Sequence, residues 1–148
     1  MNYVFAYKLF TTPHFDTMSC SDMGLDRAGP GFTLPPNMVD LILDSGRLIL
    51  PCCNLRGEIP DSIGQLTNVI RLNLSCNKLT GNIPSSLGNL TNLERLNLGG
   101  NELTGPIPTS FSSLQKLGKI YLNNNNLSGK MFWTLAACLS VCAQAWHH

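Results

Sequence analysis

The run Asn54-Leu55-Arg56-Gly57-Glu58-Ile59-Pro60 returns after 24 residues as Lys78-Leu79-Thr80-Gly81-Asn82-Ile83-Pro84. It returns again as Glu102-Leu103-Thr104-Gly105-Pro106-Ile107-Pro108, and fades in Asn126-Leu127-Ser128-Gly129-Lys130-Met131-Phe132. A fixed period of this length means stacked units, none of which can bury its apolar face alone. Such a chain builds a surface from repeated columns of side chains. Fold and function must therefore be read unit by unit.

The units run 45–68, 69–92, 93–116 and 117–140. Each opens with apolar residues at alternate positions: Leu48 and Leu50, Leu72 and Leu74, Leu96 and Leu98, Ile120 and Leu122. Alternation of period two predicts a half-buried strand whose intervening residues face solvent. Five positions after the first of these residues stand Asn77, Asn101 and Asn125, with Cys53 in the first unit. A buried amide there is expected to bond backbone of the following turn, forming a ladder of satisfied groups. Losing one would cost about 1–3 kcal/mol. Gly57, Gly81 and Gly105 then admit backbone that other residues resist, and Pro60, Pro84 and Pro108 set φ and remove a donor. The far side is therefore expected to be irregular, carrying a second apolar layer of Ile63, Leu87 and Phe111, then Leu66, Leu90 and Leu114.

Taken together, these positions resemble the plant-type leucine-rich repeat, LxxLxLxxNxLxGxIPxxLxxLxx, over about residues 45–135. The resemblance implies an α/β fold: a right-handed solenoid of about four 24-residue repeats, with a short parallel sheet on its concave face. It also implies a non-catalytic module that binds protein or peptide on that face, in plant recognition, signalling or defence. Cysteine is an allowed alternative to asparagine in the ladder of this family. Two other readings stay open: an inhibitor of a secreted cell-wall hydrolase, as in the polygalacturonase-inhibiting proteins, and a truncated receptor-like kinase ectodomain without activity of its own. The resemblance implies an extracellular or plasma-membrane location, while the poor signal peptide leaves a cytoplasmic one open.

The ends depart from the pattern. Residues 1–44 read as an irregular segment, with loop from 22 to 36 and a faint half-repeat or degraded cap at 34–44. The first ten residues lack a basic start and are interrupted by Lys8, which makes a poor signal peptide. No run of 18 apolar residues forms a convincing membrane span. Residues 131–148 are largely apolar and are expected to form a helix closing the stack; a membrane-inserted helix and a chain end without fixed structure are the less favoured readings.

The outward columns of the strands are the candidate partner-binding residues. Arg47, Arg71, Arg95 and Lys119 would form a basic stripe about 14 Å long, suited to an acidic or polysaccharide-associated partner. The alternative is solubility, with Glu94 and other carboxylates compensating. Beside the stripe run Ile49, Asn73, Asn97 and Tyr121, then Pro51, Ser75, Gly99 and Asn123, then Cys52, Cys76, Gly100 and Asn124. Cys52 and Cys76 on adjoining strands fall within the Cα range of a disulfide, and the reading preferred over that bridge is two unlinked small apolar side chains.

Three glycosylation sequons begin at Asn73, Asn89 and Asn126. The net charge is +1, with 13% charged residues, which does not suit a nucleic-acid binder. His14, His147 and His148 lie at the ends, away from any recognisable nucleophile, and no phosphate-binding loop occurs. No catalytic residues, metal ligands or cofactors are expected.

Overall fold

The computed structural model describes residues 31–37 and 46–129. The strands are β1 (Phe32–Thr33), β2 (Arg47–Ile49), β3 (Leu55–Glu58), β4 (Arg71–Asn73), β5 (Lys78–Thr80), β6 (Arg95–Asn97), β7 (Thr104–Pro106), β8 (Lys119–Tyr121) and β9 (Asn126–Ser128). The alternating segments of the four units form one parallel sheet in the order β2-β4-β6-β8. Their register is that of the repeat: Leu48 faces Leu72, Leu72 faces Leu96, and Leu96 faces Ile120. A parallel pair needs a long crossover, and each crossover here holds an outer strand and a 3-10 turn.

The outer strands pair among themselves. They give a second parallel ribbon in the orders β1-β3-β5 and β7-β9, joined by a bridge from Asn82 to Thr104. This layer departs from the irregular far side expected from the sequence. Leu55, Leu79 and Leu103 are fully buried and anchor each strand. Gly57, Gly81 and Gly105, at φ of 75°, 74° and 73°, turn the chain out of it. A second departure lies at residues 32–33, expected to be loop. Phe32 pairs with Leu55 and Thr33 with Arg56, and Leu34 enters the core at 4% exposure. The expected terminal helix at 131–148 and residues 38–44 of the expected cap lie outside the described residues.

After β3, β5 and β7 come 3-10 helices: Asp61–Gln65, Ser85–Asn89 and Thr109–Ser113. Pro60, Pro84 and Pro108 precede them in extended conformation and make the entry. Leu66, Leu90 and Leu114 end them near φ −80° and ψ +60°, the inverse γ-turn. The helices stack closely: a Cβ placed on Gly88 would lie 2.6 Å from the carbonyl oxygen of Ser110. Between this layer and the four-stranded sheet lies one continuous core, including Leu48, Ile63, Leu72, Leu87, Leu96 and Phe111.

The asparagines tie unit to unit. Asn77 Oδ1 accepts from the backbone N–H of Cys53 (2.9 Å) and Leu55 (3.0 Å), while its Nδ2 donates to Leu50 O (2.8 Å) and Leu74 O (2.9 Å). Asn101 repeats the pattern toward Leu79 N, Leu74 O and Leu98 O. Asn125 does so toward Leu103 N, Leu98 O and Leu122 O. Each amide thus reaches back to the preceding unit, where bonding to the following turn was expected. The reason is geometric: the preceding unit presents an unpaired N–H and C=O where its strand bends away.

Candidate functional site

The outer surface of the four-stranded sheet carries the columns. Arg47 is paired in register with Arg71, Arg71 with Arg95, and Arg95 with Lys119. Arg47 and Arg95 are exposed; Arg71 and Lys119 are half-buried. Among the described residues, none of the four enters an ion pair, and Glu94 makes none with them. Like charges directly opposite one another destabilise a sheet. Among the described residues the column is a run of positive charge without an ion-paired carboxylate.

The neighbouring column is more varied. Ile49 is half-buried, whereas Tyr121 is 43% exposed at the other end. Ile70, beside Arg71, is 37% exposed. The asparagines between are partly committed to their own backbone. Asn73 Oδ1 accepts from Ser75 N (3.0 Å) and Ser75 Oγ (2.7 Å), and Asn97 Oδ1 accepts from Gly99 N (3.1 Å). These side chains close the turn at the strand end, as short amide side chains do. What they offer outward is the amide NH2. Ser75 is 9% exposed and Gly99 is buried, so neither is a display position, whereas Asn123 is exposed.

The last expected column is not strand. Hydrogen bonding stays in register through Cys52 N to Ser75 O, Cys76 N to Gly99 O and Gly100 N to Asn123 O, each 2.9 Å. Yet Cys52, Cys76, Gly100 and Asn124 have φ of 56°, 56°, 67° and 55°. Glycine and asparagine suit this left-handed conformation; cysteine enters it at a cost of about 1–2 kcal/mol. Of the two readings open for Cys52 and Cys76, the structure has the unlinked one: both remain thiols. Equivalent residues on parallel neighbours project alike, so their Cβ atoms stay about one strand spacing of ~4.8 Å apart, beyond the ~3.8 Å that a disulfide prefers. The half-cystine is Cys53, fully buried at the ladder position, with its partner outside the described residues.

Asn89 is exposed in the 3-10 layer, and Asn126 is exposed on β9. Among the described residues there is no cluster of three or more metal-ligating side chains, and no helix is long and apolar enough to cross a membrane.

These features define a class: a solenoid of stacked units that displays registered columns on a parallel sheet. The sequence matches the family model described as "Leucine rich repeat" over residues 46–103 and 70–127, more than half of its length. The chain belongs to the leucine-rich repeat family. No curated protein sequence matches it. Among solved structures it is similar to the ectodomain of BIR2 from Arabidopsis thaliana, at 31% identity and a TM-score of 0.68, over 75% of this chain and 58% of that one. It is also similar to the plant peptide hormone receptor RGFR1 in complex with RGF2, at 33% identity and a TM-score of 0.66, over 72% of this chain and 17% of that one. A third is the ectodomain of the Arabidopsis thaliana membrane receptor kinase GASSHO1/SCHENGEN3 in complex with CASPARIAN STRIP INTEGRITY FACTOR 2. There the identity is 38% and the TM-score 0.62, over 68% of this chain and 12% of that one. The chain thus spans between about an eighth and three fifths of these relatives' lengths.

Proposed function

We propose that this is a non-catalytic recognition module whose four-stranded sheet binds an acidic segment of a protein or peptide, at the extracellular side of a plant cell. The observation that carries this reading is the ladder of Arg47, Arg71, Arg95 and Lys119, registered across four strands and uncompensated among the described residues. Solubility alone does not require cations to face one another. An anionic ligand relieves their repulsion and gains from all four. Tyr121 and Ile49 flank the ladder with apolar surface, and the NH2 groups of Asn73 and Asn97 add donors. Solved relatives with peptide ligands, RGFR1 with RGF2 among them, support a peptide partner.

The test is fluorescence anisotropy with a labelled oligoglutamate peptide. The Arg47→Glu/Arg71→Glu variant should bind it about tenfold more weakly at low ionic strength, roughly 1.4 kcal/mol. The difference should vanish near 1 M salt, where the screening length falls to about 3 Å. Equal affinity of the two proteins at low salt would remove the acidic-partner reading.

A further inference from the structure

We infer that Asn89 carries an N-linked glycan, placed on the 3-10 layer across the core from the sheet, and that Asn73 does not. The inference goes beyond the binding reading and does not depend on it. Asn89-Leu90-Thr91 is an acceptor sequence. Leu90 is fully buried and sits in the inverse γ-turn at φ −78° and ψ 63°, with Thr91 N donating to Asn89 O at 2.9 Å. Folding Leu90 inward leaves Asn89 and Thr91 both exposed. No hydrogen bond engages either side chain among the described residues.

The same turn recurs at Thr67 N to Gln65 O and at Gln115 N to Ser113 O, each 2.9 Å. Those units carry Gln65-Leu66-Thr67 and Ser113-Leu114-Gln115, which are not acceptors. Among the described residues the repeat supplies an outward turn three times, and of these the second unit alone makes it a sequon. At Asn73 the reverse holds. Its carboxamide oxygen and the Ser75 hydroxyl are bonded to each other, and Ser75 is buried. A sugar there would lie over Arg71 and Arg95 in the adjoining column. The half-cystine Cys53 fits a chain that passes through an oxidising compartment, where glycans are added.

The experiment directs the full chain, with an appended signal sequence and Asn126→Gln to remove the third sequon, into the secretory pathway of insect cells. Intact mass is read before and after peptide N-glycosidase. One glycan is expected. Asn89→Gln and Thr91→Ala should each abolish it, Thr91→Ser should retain it, and Asn73→Gln should leave the mass shift unchanged. A secreted chain without a glycan, or one whose glycan disappears with Asn73→Gln and survives Asn89→Gln, would overturn the assignment.

Discussion

At the scale of single residues, two asparagine types look alike in the sequence and do different work. Asn101 is 8% exposed and holds Leu79 N, Leu74 O and Leu98 O. Replacing it with alanine leaves those groups buried and unpaired, at about 1–3 kcal/mol each when fully desolvated. Asn101→Ala should therefore lower unfolding free energy by about 3 kcal/mol in urea titration. Asn125→Ala should cost less, because Asn125 is itself only half-buried. Asn97, by contrast, accepts one bond from Gly99 N at the strand end, and its loss is expected to be milder. The cysteines divide in the same way. Cys53 is bonded and buried; Cys52 and Cys76 are thiols in a left-handed turn. Reducing the Cys53 disulfide should lower stability by about 2–5 kcal/mol, whereas Cys52→Ser and Cys76→Ser should leave the non-reduced unfolding midpoint nearly unchanged.

At the scale of elements, stacking depends on how closely the 3-10 turns approach. Gly64 and Gly88 sit where any Cβ would meet Ser86 or Ser110. Gly88→Ala should push two turns apart and cost about 1–3 kcal/mol, as overpacking does. Gly118→Ala is the control. Its nearest neighbour would be Glu94 O at 3.8 Å, so the change should stay within about 0.5 kcal/mol. Thermal unfolding of the two variants side by side distinguishes a steric role for Gly88 from a general glycine effect. The outer ribbon was not legible in advance. Its strands are two to four residues long, and β3, β5 and β7 each lie between a ladder position and a proline with a glycine in or just after them, so their local signal is that of a turn. Only parallel pairing with the next unit makes them strands.

At the scale of the whole molecule, the repeat converts one-dimensional order into a surface. Each unit contacts its neighbours, so stability is a sum of unit and interface terms, and a lesion in the second or third unit disturbs two interfaces. The basic ladder is a property of this scale: one cation per unit is unremarkable, and the proposed site exists only when Arg47, Arg71, Arg95 and Lys119 stand in register. The expected weakening of oligoglutamate binding in Arg47→Glu/Arg71→Glu tests the assembled column. The glycan on Asn89 belongs to the opposite layer, so its removal should leave that binding constant unchanged.

By itself the sequence determined the period, the inward leucines, the asparagine ladder and the columns, because each follows from spacing along a chain with one repeated geometry. Leu48, Leu72 and Leu96 are buried for the same reason that they recur. Tertiary structure decided the matters that depend on direction and distance between units. It directed the Asn77 amide back to Cys53 and Leu55, kept Cys52 and Cys76 apart, and bound the carbonyl of Asn73 to Ser75. It also left Arg47, Arg71, Arg95 and Lys119 facing one another without an anion of their own among the described residues. Spacing says which side chains are neighbours. Which of them bond, and which stay available to a partner, is set by the orientation that packing imposes.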